Sequence, residues 1–247
     1  MNSLISIIIP TYNSEKTVGK AIKSVQDQIF QDWECIIIDG NSKDSTLTIV
    51  YSLIGSDKRF IVISEPDNGI YDAFNKGWRL ASSTWVYYLG SDDYLTKDGM
   101  SIIAPELDET YAVVSGDVYL RRVDRSVKEM LTNGFHGCHQ GMLMQRHVIE
   151  EMGGFDERFK IIADQDLIER VDNAGYQAKN VRAFVAFFNA NGTSQNLTAP
   201  YKIMKERYRV YKKNGYAKHP FAKAFSMFVV IHVSMIYRRI IRVFKRS

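Results

Sequence analysis

The sequence predicts an α/β fold built on a doubly wound, mostly parallel sheet, followed by a basic amphipathic helical tail. Three observations predict it. Short β-branched apolar runs alternate with segments of helical period about a dozen residues long, as in strands joined by crossover helices. The apolar runs are continuous, which suits strands covered on both faces. Small polar residues and carboxylates follow directly where these runs stop.

Residues 4–9 carry Ile5, Ile7, Ile8 and Ile9 and stop at Pro10, so they read as a buried strand. Residues 15–28 place Val18, Ala21, Ile22 and Val25 at helical spacing. Residues 33–38 form the second apolar run and contain Cys35. Residues 44–53 read as a helix with Ser42 or Asp44 as its N-cap. A strand over 60–64, a helix over 70–81 and a strand over 84–89 come next, then a helix over 97–107 and a strand over 111–120. The second half is less regular, with strands over 142–145 and 183–188 and a helix over 164–174. No internal repeat or low-complexity linker appears, which predicts one domain over residues 1–200 and a helical tail over 201–247.

Composition narrows the class. Of 247 residues, 45% are hydrophobic and 24% charged, enough to bury a core and to exclude general disorder. Two cysteines, Cys35 and Cys138, form neither a disulfide framework nor a zinc spacing, which fits a reducing cytoplasm. No signal-peptide pattern precedes the first strand. The net charge of +4 is unevenly spread. Residues 201–247 hold thirteen Lys/Arg against Glu206, a net of +12, which leaves the body at −8.

Ligands of such sheets bind beyond the carboxyl ends of the strands. The candidate site loops are therefore residues 10–13, 39–45 and 90–93. Asp39 directly follows a buried strand, and Asp92 and Asp93 stand side by side after another. Adjacent carboxylates repel unless a cation or hydrogen-bond donors compensate, and Mg²⁺ and Mn²⁺ prefer such oxygen ligands. The competing reading is that the pair caps the helix beginning near Lys97.

Read together, the loops resemble glycosyltransferase family 2. The resemblance is carried by Pro10-Thr11-Tyr12-Asn13, by Asp39-Gly40-Asn41-Ser42-Lys43-Asp44-Ser45-Thr46, and by Gly90-Ser91-Asp92-Asp93. The segment from Glu65 through Asn68, Gly69, Tyr71 and Lys76 to Gly77 is similar to enzymes that build bacterial exopolysaccharide and related surface glycans. Gly153-Gly154-Phe155-Asp156-Glu157 and Ala163-Asp164-Gln165-Asp166-Leu167 match the family's second half. The likeness spans roughly residues 3–194.

The resemblance implies a Rossmann-like GT-A fold and specific roles. Thr11, Tyr12 and Asp39 would hold the base and ribose of a donor nucleotide, with Pro10, Asn13 and Lys76 also on the donor side. Asp92 would contact the ribose or a metal-bound water, and Asp93 would ligate Mn²⁺ or Mg²⁺ at the diphosphate. Ser91 precedes Asp92, so the pattern is an Asp-Asp pair rather than Asp-x-Asp. Asp164 is the candidate general base, with Asp166 second. His139 and Asp166 are candidate acceptor or diphosphate contacts, whereas His136 reads as part of a structural turn. Residues 191–194 would form a loop near the donor diphosphate.

The implied reaction is inverting transfer from a nucleotide-diphosphate sugar, a UDP-sugar favoured, to a glycan or polyprenyl-diphosphate-linked acceptor. Three rivals rank lower. A nucleotidyltransferase needs a Gly-rich, basic phosphate loop after the first strand, and a dinucleotide oxidoreductase needs Gly-x-Gly-x-x-Gly there; neither is present. An inactive membrane-bound scaffold of the same fold is disfavoured by the intact Asp39, Asp93 and Asp164 set.

In the tail, the uncharged run 224–237 is too short to span a bilayer and is followed by Arg238, Arg239, Arg242, Lys245 and Arg246. Apolar bulk flanked by cations suits a helix lying on anionic lipid. Its Met, Val and Ile density argues against nucleic acid. A peripheral place at the inner face of the plasma membrane is the expectation, with packing against protein as the alternative.

Overall fold

The computed structural model describes residues 3–122, 126–189, 199–215 and 217–229. Four parallel strands come first: β1 (Ile5–Thr11), β2 (Trp33–Asp39), β3 (Phe60–Ser64) and β4 (Trp85–Tyr88). Helices α1 (Val18–Gln26), α2 (Thr46–Ile54) and α3 (Ile70–Leu80) connect them. The second half adds β5 (Tyr94–Leu95), α4 (Gly99–Ile103), β6 (Val113–Arg121), β7 (Val127–Met130) and β8 (Met142–Gln145). It continues through α5 (Arg146–Glu151), α6 (Ala163–Asn173), β9 (Ala178–Asn189) and α7 (Ala199–Asn214).

The strands form one nine-stranded sheet in the order β3-β2-β1-β4-β8-β6-β9-β5, with β7 beside β6. The antiparallel pairings all fall in the second half, where β8 lies between β4 and β6 and runs opposite to both. This is an α/β sheet of the GT-A, Rossmann-like kind.

Side chains alternate across a strand, so a strand buried on both faces must be apolar throughout. Ile5, Ile7 and Ile9 accordingly enter one core with α1 and α2, while Ile8 enters a second core with α3, α5 and α6. Cys35 and Ile37 divide from Ile36 and Ile38 in the same way. Both cysteines are free and buried. Gly77 lets α3 lie tight on the sheet, since a Cβ there would sit 2.4 Å from Ile8 Cγ2.

Several boundaries differ from the sequence reading. Helix α1 begins at Val18 rather than at residue 15, because the Glu15 carboxylate reaches across to the Ser45 N–H. The helix expected over 97–107 is α4 followed by a 3₁₀ turn, Ala104–Glu106, with Pro105 where the helix tightens. The residue bordering α2 is Ser45, without a side-chain cap; Asp44 Oδ1 accepts the Thr46 N–H at 3.0 Å, and Ser42 is committed to Asp39 instead. The strand read at 183–188 extends over all of β9. Strands β5 and β7 and helix α5 were not legible.

Helix α7 packs on the body. Its Val210 shares a core with Phe155, Ile162 and Leu167, and its Arg207 pairs with Glu169.

Candidate active site

Parallel register sets the first part of the site. Thr11 stands opposite Asp39, and Asp39 opposite Ser64, so three polar residues form a row across the ends of β1, β2 and β3. Asp39 is fully buried. Its Oδ1 accepts from Thr11 Oγ1 at 3.0 Å and from Ser42 Oγ; its Oδ2 accepts from the Ser42 N–H at 3.0 Å and Ser64 Oγ at 2.7 Å. Burial alone would raise the Asp39 pKa, but the Ser42, Ser64 and Thr11 donors outweigh it and hold the carboxyl below its ordinary range.

The loops after β1 and β2 are stitched together. The Asn13 N–H donates to Ser42 Oγ and the Lys43 N–H to Asn13 Oδ1, both at 2.9 Å. Asn13 and Asn41 adopt positive φ of 48° and 63°, a conformation Asn tolerates better than most residues. Gly40 admits Asp67, whose Oδ2 would lie 2.5 Å from a Cβ. Tyr12 projects from this frame with 62% of its surface exposed, leaving a ring face for stacking. Pro10 is buried inside β1 opposite Ile38, so it contributes to the sheet rather than to the loop surface. Lys76 ion-pairs with Glu65 at 2.9 Å and Asp72 at 3.7 Å and donates to the Pro66 carbonyl, bracing the loop after β3.

The second part forms where β4 ends. Because β8 runs opposite to β4, the turn His139–Gly141 that precedes β8 falls beside the Gly90–Asp93 loop. The end of β9 arrives there too, since Tyr94 pairs with Phe187. Asp93 is buried and does not cap α4: its Oδ1 accepts the Asn189 N–H at 2.7 Å. Burial and the neighbouring Asp92 charge push its pKa up to about 7 against weaker help from Asn189, His139 and Gln140. Burial also raises Asp92.

Asp164 lies in the first turn of α6, where the helix dipole favours a carboxylate. Its Oδ2 meets His139 Nδ1 at 2.9 Å, and its Oδ1 accepts from the Tyr71 hydroxyl at 2.9 Å. Burial opposes the charge, but the His139 and Tyr71 bonds prevail and lower its pKa. His139 is raised: burial opposes its charge, and the Asp164 bond and charge outweigh that, with Asp93 adding to them. His139 thus links the two carboxylates electrostatically. His136 sits apart in an exposed turn, bridged to Asn133.

Asp166 is not part of this cluster. It is fully buried and takes Arg170 Nε and Asn214 Nδ2, each at 2.9 Å, with Lys213 at 3.4 Å. A carboxylate so enclosed ties α6 to α7 and is withheld from an acceptor. Residues 191–194, expected near a diphosphate, lie outside the described residues.

Three contributors escaped the sequence reading. Tyr71, Ser64 and Asn189 carried no role there, although the register of β2 with β3 and of β5 with β9 places the last two.

A sheet with carboxylates gathered at its strand ends, an exposed tyrosine ring beside them and a half-buried carboxylate at a helix start has the make-up of a sugar-transferring enzyme of the GT-A type. The chain belongs to glycosyl transferase family 2, whose model matches residues 6–179. It is 29% identical over 212 residues to a PGL/p-HBAD biosynthesis glycosyltransferase of Mycobacterium tuberculosis, covering 82% of this chain and 83% of that one. It is 33% identical over 132 residues to the GalNAc(5)-diNAcBac-PP-undecaprenol beta-1,3-glucosyltransferase of Campylobacter jejuni, covering 53% and 43%. Among solved structures, TarS from S. aureus in complex with UDP-GlcNAc superposes with a TM-score of 0.69 at 20% identity, over 90% of this chain and 69% of that one. The mannosyltransferase PcManGT from Pyrobaculum calidifontis, bound to GDP-Man and Mn²⁺, gives 0.68 at 16% identity, over 92% and 70%.

Proposed function

We propose that the chain transfers a sugar, with inversion, from a nucleotide-diphosphate sugar to a hydroxyl of a glycan or polyprenyl-diphosphate-linked acceptor in surface-polysaccharide assembly. A UDP-sugar is the favoured donor. The observation that carries this reading is the pairing of two carboxylates across His139: buried Asp93, whose negative charge lacks compensation, and half-buried Asp164, whose negative charge is held in place. The Campylobacter relative is named for an undecaprenol-linked substrate, which supports the lipid-linked alternative.

Mn²⁺ or Mg²⁺ fits this site. Asp93 offers a buried oxygen donor beside a like charge, the environment a hard cation relieves. Among the described residues no group of three or more His, Cys, Asp and Glu could enclose an ion. The remaining ligands would then come from donor phosphates and water, as Mg²⁺ commonly arranges. When bound, the ion supplies Lewis-acid stabilisation of the leaving diphosphate.

The protein's own residues do the rest. Tyr12 offers its face to the base, and the Asp39 row fixes the loops that flank it. Asp164 accepts the acceptor hydroxyl's proton as that oxygen bonds to the anomeric carbon and the bond from that carbon to the diphosphate breaks. The acceptor hydroxyl takes the place of one of the donors now on Asp164, so ionisation is maintained until the proton moves. Replacing Asp164 with Asn should lower kcat by roughly 10²–10⁴-fold, the usual worth of a general base, with donor KM little changed. Ordinary turnover by that variant removes Asp164 from the role.

We also place α7 at a membrane. Tyr201, Lys202, Lys205, Tyr208, Arg209 and Lys212 share its exposed side, and Phe221 and Phe225 continue it with ring centroids 6.0 Å apart. Aromatic rings among cations suit an anionic lipid surface. No helix among the described residues is long and apolar enough to cross a bilayer. The end of the tail, residues 230–247, lies outside the described residues. Deleting residues 221–247 should move the protein from the membrane pellet to the supernatant; an unchanged distribution refutes this anchor.

A further inference from the structure

The turn that delivers Asp164 is held from two sides. Residues 160–162 lead into α6, and the residue bordering that helix, Ile162, provides no side-chain cap. The N–H groups that open a helix need acceptors from elsewhere. The three residues that lead into this helix find theirs in one carboxylate. Glu206 of α7 is buried, with Oε1 accepting the Lys160 N–H at 2.9 Å and Oε2 accepting the N–H groups of Ile161 and Ile162 at 3.0 and 3.2 Å. On the other side, the Tyr71 hydroxyl lies 2.9 Å from both the Ile161 carbonyl and Asp164 Oδ1. Lys160 Nζ ties the same turn to the Asn68 carbonyl, just ahead of α3.

We infer that Glu206 is a positioning residue for the transfer reaction: through three backbone N–H groups it fixes the turn that aims Asp164. The inference rests on the reading of Asp164 as the general base. The grip is specific to a carboxylate. Two oxygens bearing full charge can take three convergent N–H donors, whereas an amide of the same shape turns its NH₂ toward at least one of them. Glu206 reaches the turn because the rest of α7 is anchored: Arg207 pairs with Glu169, and Lys213 and Asn214 reach Asp166. Asp166, withheld from substrate, thereby acquires a part in seating the helix that carries Glu206. A base displaced by about an ångström loses much of its advantage, so a residue that touches no substrate can govern turnover.

The experiment compares Glu206→Gln, Val210→Ala and Asp164→Asn in the full-length protein. Transfer kinetics, melting temperature and amide hydrogen exchange are measured for each. Val210 is buried on the same helix and packs in the core that includes Ile162, but its side chain has no oxygen to accept the turn's N–H groups. Glu206→Gln is expected to lower kcat at least tenfold, leave donor KM within twofold, and speed exchange at the Ile161 and Ile162 amides. Val210→Ala should lower the melting temperature at least as much while keeping kcat within about twofold of wild type. If Glu206→Gln keeps kcat within twofold, or loses no more than Val210→Ala does, the positioning role is overturned. Asp164→Asn separates the two ideas. If it is inactive while Glu206→Gln is normal, only the positioning role fails; if it turns over normally, the base assignment itself is at fault.

Discussion

Asp39 and Asp93 invite comparison. Each follows a buried strand of the same sheet and is almost wholly removed from solvent, yet their acidities move in opposite directions. Asp39 meets four donors from Thr11, Ser42 and Ser64, and its pKa falls. Asp93 meets the Asn189 N–H and Gln140, has Asp92 beside it, and rises to about 7. Burial opposes the charge at both and is the largest influence on Asp93; at Asp39 four donors outweigh it, whereas at Asp93 fewer donors and the adjoining Asp92 charge leave it to prevail. One carboxylate is complete within the chain and shapes a loop. The other is left short of positive charge, which a bound cation would supply.

The largest effect should come from removing the uncompensated charge. Asp93→Asn should abolish transfer, by about a thousandfold or more, if Asp93 ligates the metal. It should also stabilise the metal-free protein at alkaline pH. The folded pKa lies above the ordinary carboxylate value, so the folded state resists ionisation. Stability is lost as pH rises from about 4 to about 7 and stays lost above that. The upper bound for the shift is about 4 kcal/mol. Melting of the metal-free variant should therefore exceed wild type at pH 8, with the advantage gone near pH 4. A variant that melts lower than wild type at both pH values would show that the Asp93 charge is compensated after all.

Asp39→Asn should act in the reverse sense. The amide keeps one acceptor oxygen but turns an NH₂ toward donors that need an acceptor, a cost of about 2–3 kcal/mol at neutral pH. The folded pKa of Asp39 is depressed, so its contribution is present above the unfolded value and disappears as pH falls through the folded one. Urea unfolding should thus separate wild type from variant at pH 7 and bring them together in acid. Equal stability at pH 7 would mean that the four donors contribute nothing net.

These two carboxylates were legible in the sequence because each lies at or shortly after the end of a continuous apolar run, and position at a strand end is a local property. Other strands were legible for the same reason: residues 60–64, parallel to β2, and 142–145, antiparallel to β4 and β6, are read at their observed bounds. What could not be read depends on distant pairing. Strands β5 and β7 have only two and four residues and too little pattern to stand out. Asp166 has the same local setting as Asp164, two residues apart, and only the arrival of α7 separates a buried tie from a candidate base. Glu206 is the lone acid of a strongly basic segment and meets residues more than forty positions earlier. Nothing nearby marks it. The opposite acidities of Asp39 and Asp93 were hidden likewise, because Ser64 and Asn189 reach them through strand register rather than through adjacent sequence.

The smallest effect tests whether Asp39 can be moved by degrees toward the state of Asp93. Ser64→Ala removes one of its four donors and leaves Thr11 and Ser42 in place. A single neutral hydrogen bond contributes about 1 kcal/mol, and hydrogen bonds to a charged group somewhat more. The carboxylate loses one stabilising donor while burial is unchanged, so its pKa should rise, though it should stay well below that of Asp93 because no like charge adjoins it. The variant should lose about 1 kcal/mol at pH 7, and its acid unfolding should begin at higher pH than wild type. Titration of the Asp39 carboxyl by NMR would check the direction. A pKa that stays fixed when Ser64 is removed would mean that the donors act redundantly, and that proximity to Asp92, rather than donor number, sets the two residues apart.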